Sequence, residues 1–320
     1  MLSSKNTGGP GISGGYFGKL PSFADFVKYN AAVPELLNFD KWLQEGITKL
    51  KISSGNVWEK LYRESPCFRF MYYDSSARNI LTGNLYPSYD RSGRLFPFLI
   101  FAKPGTAYSV PGEFYLIPLL FKDLFASAGT IFEEIKSAGN AGELNSAFER
   151  IISGLDRNID PAADFNNYLR VNRISGFLER NFTSGISENN FKELIPKAVS
   201  KGQNLLRSYA IKIHTTNDAN IIPYDVSFWI RLFEKKNSGN INSVFWTYAS
   251  TGLPAAMFIF CRKLVPVNFV DLINPLNKPE ELIDIDDMNS TLSGSAYNEV
   301  KNETAFTGND SSLYDFLNSF

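Results

Sequence analysis

Between Pro34 and Leu50 the apolar residues Leu36, Phe39, Leu43, Ile47 and Leu50 recur every three or four positions, which predicts a helix with one apolar face. Pro34 suits its first turn, where a missing N–H costs nothing. "NVWEKLYRES" reads as a second, short helix. The period then changes. "CFRFMYYD", "NILTGNLYPSYD" and "RLFPFLIFA" are strand-like runs, and the turn residues between them predict short antiparallel connections. From about 112 to 200 the helical period returns, in stretches such as "GEFYLIPLLFKDLFASAG" and "AGELNSAFERIISGL". "SYAIKIHTT" is again a strand and "YDVSFWIRLFEKKN" a helix. "SVFWTYAS" and "AAMFIFCRK" are two further strands, and "VPVNFVDLINP" closes the part expected to be ordered. Upstream, "YFG" predicts a short strand, and "LPSFADFVKYN" a turn and a short helical segment.

Helices before, between and after the strands place the chain in the α/β class. The expectation is a three-layer α/β/α sandwich on a mixed, largely antiparallel sheet. Residues 1–14, rich in Gly, Ser and Asn, are expected to form a flexible leader, and residues 15–283 a single domain with the helical middle inside it. Residues 284–320 hold seven acidic residues and one Lys, the composition of an acidic, mobile tail. The alternative for its last segment, "SSLYDFLNSF", is an amphipathic helix that docks on the chain itself or on a partner. No internal repeat is present.

Composition narrows the function. The chain of 320 residues is 44% apolar with 27 Phe and 15 Tyr, enough for a globular core. Its 32 basic and 33 acidic residues give a net charge of −1, which offers no electrostatic case for nucleic acid or an anionic membrane. The longest apolar runs fall far short of the roughly 20 residues of a membrane span, so no membrane insertion is expected. No apolar signal-peptide core is visible at the start. Cys67 and Cys261 lie far apart in apolar strand-like runs and read as small hydrophobes; reduced thiols suit a cytoplasmic protein.

The candidate chemical motifs fail one by one. Gly9 to Gly14 fits G-x-G-x-x-G, but no strand precedes it and no βαβ unit surrounds it. Gly18-Lys19 ends like a phosphate loop, yet Ser13 stands where its first glycine belongs and Leu20 where a Mg²⁺-binding hydroxyl belongs. His214 is the single histidine and no nucleophile elbow accompanies it. "DIDD" at 284–287 lacks the glycine and final Glu of a calcium loop. No catalytic residue, metal site or cofactor is therefore expected. In "YPSYDRSGRLFPF", Asp90, Arg91 and Arg94 crowd a turn at Gly93. They either fix two strand ends through bidentate hydrogen bonds or offer guanidinium groups to an acidic or phosphorylated partner. "GYFGKLP" reads as a strand and tight turn, with Lys19 and Asp25 at the surface or paired. Trp246 reads as a buried core residue.

Three of these stretches resemble one family. "GYFGKLPSFADFV" is similar to the first signature of the type VI secretion-associated TagF/ImpM proteins, G-[aromatic]-F-G-K-L-P-x-x-G-D-F. "PSYDRSGRLFPF" resembles their P-S-x-D-x-x-G-R-x-F-P, and "SVFWT" followed by "GLP" resembles their S-[LV]-W-W-T strand and the turn after it. Ala24 departs from the usual Gly, and Phe245 from the first Trp. The resemblance makes Phe17, Gly18, Leu20, Pro21, Gly93, Pro97 and Trp246 the structural residues of the motifs. It implies a cytoplasmic, non-enzymatic accessory that restrains secretion after translation. It also implies binding to a forkhead-associated (FHA) domain scaffold protein and, in some lineages, a link to a Ser/Thr phosphatase. The expected partner surface is Lys19, Asp25, Asp90, Arg91 and Arg94, provided their two turns meet at one end of the sheet. The rivals are a hydrolase using Asp25 and Asp90 as a carboxylate pair, and a structural part of the secretion machine.

Overall fold

The computed structural model describes residues 13–105, 108, 111–155, 160–205, 209–236, 241–250, 253–274, 279, 281–296 and 310–320. Its strands are β1 (Ser13–Gly18), β2 (Val27–Tyr29), β3 (Phe68–Asp74), β4 (Asn79–Tyr86), β5 (Phe98–Lys103), β6 (Ala210–His214), β7 (Ser243–Trp246), β8 (Ala256–Phe260) and β9 (Leu282–Asp284). They form one nine-stranded sheet in the order β2-β1-β5-β4-β3-β7-β8-β6-β9. Every pairing is antiparallel except that of β6 with β9.

The helices are α1 (Pro34–Ser54), α2 (Trp58–Arg63), α3 (Ile117–Leu120), α4 (Lys122–Ala126), α5 (Ala128–Lys136), α6 (Ala141–Ser153), α7 (Pro161–Val171), α8 (Ile174–Asn181), α9 (Glu188–Gln203), α10 (Ile222–Lys236), α11 (Pro266–Ile273), α12 (Ile285–Ala296) and α13 (Leu313–Ser319). In α1, Pro34 opens the first turn and the five periodic apolar residues are all buried, as their spacing predicts.

Successive strand residues belong to two separate apolar clusters, because side chains alternate across a sheet. Phe68, Phe70 and Tyr72 of β3, with Phe245 of β7 and Phe258 of β8, pack with Leu36, Phe39 and Trp42 of α1 and Phe269 of α11. Met71, Val244, Trp246 and Met257, from the same strands, pack with residues of α3 to α10. Helical residues thus cover the sheet through both clusters.

Two expectations are corrected. "FVKYN" does not form a helix: Val27–Tyr29 pairs with β1 as the edge strand β2. The acidic segment from 284 is not a solvated tail in its described parts. Leu282–Asp284 joins the sheet beside β6, Ile283 and Ile285 are buried, and α13 buries Leu313, Phe316 and Leu317. The docked-helix alternative holds for "SSLYDFLNSF". The physical reason is that a few apolar residues, well placed, outweigh a polar average. Of the expected leader, 1–14, residues 13 and 14 already belong to β1, and 1–12 lie outside the described residues.

Candidate functional site

β1 ends at Gly18 opposite Phe98, the first residue of β5, and β4, on the other side of β5, ends at Tyr86 opposite the same Phe98. The turn after β1 and the hairpin between β4 and β5 therefore leave the sheet at one end. Gly18 sets their spacing. Its φ is +134°, and a Cβ there would stand 2.1 Å from the Pro97 carbonyl oxygen, so only glycine lets the two segments approach this closely.

Asp90 is the hub of this end. Its side chain is fully buried. One carboxylate oxygen accepts from Lys19 Nζ at 2.9 Å and Arg94 Nε at 2.7 Å. The other accepts from Ser92 N at 3.0 Å, Ser92 Oγ at 2.7 Å and Arg94 N at 3.0 Å. Burial pushes the carboxyl pKa up, but the hydrogen bonds from Lys19, Ser92 and Arg94 outweigh it and hold the group well below the usual carboxylate range. The arginines then bind the other turn. Arg94 Nη2 donates to the Ala24 carbonyl at 2.8 Å, the Arg91 guanidinium donates to the Ser22 carbonyl, and Arg91 N donates to the Phe23 carbonyl at 2.8 Å. Gly93, at φ +84°, closes the hairpin by donating its N–H to the Asp90 carbonyl at 2.8 Å.

The 19–25 and 90–94 turns thus meet, as a shared surface requires. Two of the five candidate surface residues are corrected. Lys19 and Asp90 are buried and paired with each other, because each charge is solvated by the other instead of by water. Arg91 and Arg94 are exposed. So is Asp25, whose carboxylate accepts from the Phe26 N–H at 2.8 Å. Among the motif residues, Leu20 is fully buried, Pro21 is half-buried, and Phe17 stacks on Phe26 with ring centres 5.3 Å apart. Trp246 lies four strands along the sheet from β1, buried edge-on against Phe125 at 4.7 Å.

Sequence reasoning missed Ser88 and Tyr62. Ser88 Oγ donates to the Lys19 carbonyl at 2.6 Å, and the Tyr62 hydroxyl accepts from Ser88 N at 3.2 Å. The P-S-x-D spacing was the available signal: Ser88 and Asp90, two residues apart on one hairpin arm, both reach back to the turn after β1.

The remaining candidates are occupied elsewhere. His214 Nε2 stands 3.6 Å from Asp286, and Asp284 accepts from Lys212 at 2.9 Å. Among the described residues no three His, Cys, Asp or Glu side chains gather as metal ligands. Cys67 and Cys261 are not joined in a disulfide, and burial pushes the Cys67 thiol up to about 11, away from thiolate chemistry. An open groove of about 910 Å³ is lined by residues including Lys28, Tyr29, Leu37, Phe101 and Lys103, and by neither Asp25 nor Asp90. No helix among the described residues is long and apolar enough to cross a membrane.

These features define a mixed α/β protein whose two turns form a hydrogen-bonded lattice at one sheet end. Residues 15–151 match the family model described as the TagF N-terminal domain, type VI secretion system-associated. The matched stretch runs from β1 into α6, while the sheet continues through β6, β7, β8 and β9. No curated protein matches the chain. Among solved structures, the crystal structure of PA0076 from Pseudomonas aeruginosa PAO1 is similar, with 17% identity and a TM-score of 0.49. That match covers 83% of this chain and 96% of the other.

Proposed function

We propose that this chain is a cytoplasmic regulatory protein of a type VI secretion system that acts by binding, not by catalysis. Its partner in this reading is an FHA-domain scaffold protein, with a Ser/Thr phosphatase as a further associate, and its effect is to restrain assembly or firing. The two helical clusters on one sheet are read as a three-layer α/β/α sandwich. The observation that carries the non-enzymatic reading is the state of Asp90. Both of its oxygens are consumed by Lys19, Ser92 and Arg94, so it has no free lone pair aimed at a substrate. A carboxylate pair in general acid–base catalysis needs one member held protonated near neutral pH, and Asp90 is displaced in the opposite direction. The hydrolase reading loses its second carboxylate with it.

Affinity purification of the full chain from its own cytoplasm, with the Arg91→Ala/Arg94→Ala double variant beside it, tests the proposal. Recovery of an FHA scaffold protein by the wild type, reduced in a variant that still melts cooperatively, supports a regulator working through this face. Recovery in fixed stoichiometry with assembled secretion particles favours the structural-component reading. Recovery of no secretion component overturns the proposal.

A further inference from the structure

The lattice carries more positive charge than its carboxylates neutralise. Lys19 and Arg94 share the single Asp90. Arg91 spends its guanidinium on a neutral carbonyl. Arg63, at the end of α2, lies over the Tyr89 ring with its guanidinium carbon 5.2 Å from the ring centre and has no ion pair among the described residues. On the two turns, 22–26 and 89–94, Asp25 is the one exposed carboxylate. This local excess sits on a chain whose net charge is −1.

The same end exposes aromatic surface. Phe26 and Tyr89 are each 40% exposed. Neither ring is loose. Phe26 packs edge-on against Phe96 at 4.9 Å, and Tyr89 is held by its bridge to Leu95 and by Arg63. Half-exposed rings beside guanidinium groups are the residue types that dominate binding energy at protein interfaces. These contacts already hold the rings, so little conformational freedom is left to lose on binding.

We propose that the outer face of the turn lattice is a docking surface for an acidic peptide segment with an apolar anchor, held by Arg63, Arg91 and Arg94 beside the Tyr89 and Phe26 rings. It rests on the reading that this chain works by binding through this face, and it names the chemistry of the partner. The carboxylates of the segment meet the guanidinium N–H groups that Asp90 and the turn carbonyls leave over on Arg91 and Arg94, and the fork of Arg63. Its apolar side chain covers a ring that water now touches. A peptide fits better than a nucleic acid because the cations are confined to one end and not drawn into a stripe that could track a phosphate backbone.

The test is fluorescence anisotropy of the full chain with a labelled Glu/Asp-rich peptide carrying one central Phe. A Lys-rich peptide and single-stranded oligo-dT serve as comparisons. Expected is saturable binding of the acidic peptide alone, weakening as salt rises from about 50 to about 300 mM. Arg63→Glu and Tyr89→Ser each weaken it roughly tenfold or more, and Arg63→Lys falls between, with thermal melts confirming that the variants fold. No saturable binding, equal binding by Arg63→Glu, or preference for oligo-dT overturns the proposal. Self-association of the wild type that Arg63→Glu abolishes also overturns it, since the face then takes a second copy. Failure here is separable from failure of the regulatory function. An FHA scaffold recovered equally by wild type and Arg63→Glu sinks this surface and leaves the function standing. Peptide binding with no scaffold recovered does the reverse.

Discussion

Lys19 and Asp90 are 71 positions apart and form a buried ion pair at 2.9 Å that ties the turn after β1 to the hairpin before β5. Desolvating two charges offsets much of the attraction in such a pair, but removing one partner leaves the other buried and incompletely solvated. Lys19→Met keeps the bulk of the side chain and removes its charge. Asp90 then keeps only Arg94 as a cation. The expected result is a fall of roughly 5–10 °C in melting temperature, followed by near-UV circular dichroism. A melt unchanged by Lys19→Met would show that Arg94 alone satisfies the hub.

The same carboxylate sets an acid limb. Its folded pKa lies below the unfolded value near 3.9, so as pH falls the unfolded chain takes up the proton first. The contribution of Asp90 is fully present above about pH 5 and is lost as pH falls below about 4. Asp90→Asn is therefore expected to be less stable than wild type at neutral pH, with the gap narrowing on acidification. Urea midpoints measured from pH 7 down to pH 3 check this. A gap independent of pH would mean that Asp90 acts by shape and not by charge.

Two motif glycines separate by what surrounds them. At Gly18 a Cβ meets the Pro97 carbonyl oxygen at 2.1 Å and φ is +134°, so Gly18→Ala has to push the two turns apart. At Gly93, φ is +84° but nothing lies within 4 Å of the added carbon. Gly93→Ala is expected to cost on the order of 1 kcal/mol, from backbone strain alone, and Gly18→Ala several times more. Chemical denaturation of both variants decides it. Equal costs would mean that the Pro97 carbonyl gives way easily.

These glycines were legible in the sequence because their spacing to Lys19 and Asp90 repeats a known signature. Strands β1 and β3 to β8 were legible because aromatic and β-branched residues crowd them. The burial of Lys19 and Asp90 was not legible, since it depends on two turns meeting across the sheet end and no local pattern records that. β2 and β9 escaped because each has only three residues, too few to show an alternating period. Tyr89 and Arg63 escaped because a ring under a guanidinium looks like two unrelated surface residues until the hairpin folds beside α2.

Glu234 in α10 is a buried carboxylate with one oxygen accepting from Phe114 N at 3.2 Å and the other without a hydrogen-bond partner, 3.8 Å from Arg231. Burial raises its pKa to about 7, against the opposing pull of Arg231. Between its unfolded value near 4.3 and about 7 the folded chain holds the extra proton, so this group favours folding at low pH and opposes it as pH rises. Glu234→Gln keeps the acceptor for Phe114 and removes the ionisation. The variant is expected to gain on wild type between pH 5 and pH 8 by roughly 3 kcal/mol, read from denaturant midpoints. A difference that does not change with pH would place the carboxyl in contact with water.

The last prediction concerns α13, the part of the acidic segment that composition misread. Leu313 N donates to the Asn172 carbonyl at 2.9 Å, and Ile174 N donates to the Ser311 carbonyl at 3.0 Å, so the segment enters against the junction of α7 and α8. Phe316 stacks on Phe191 of α9 and lies tilted against Phe228 of α10, with ring centres 5.5 and 6.3 Å away. Lys236 Nζ donates to the Phe320 main-chain oxygen at 2.6 Å. Seven residues form no stable helix alone in water, so α13 exists by virtue of this packing. Phe316→Ala leaves a cavity among aromatic rings and is expected to cost roughly 3–5 kcal/mol if the helix unfolds together with the rest of the chain. In that case the urea midpoint falls and amide exchange across 313–319 stays as slow as in α10. If α13 undocks on its own, the global midpoint holds and only those amides exchange faster, which makes the helix a separately opening unit. Exchange of 313–319 at the rate of an unfolded peptide in the wild type would restore the solvated tail that its seven acidic residues first suggested.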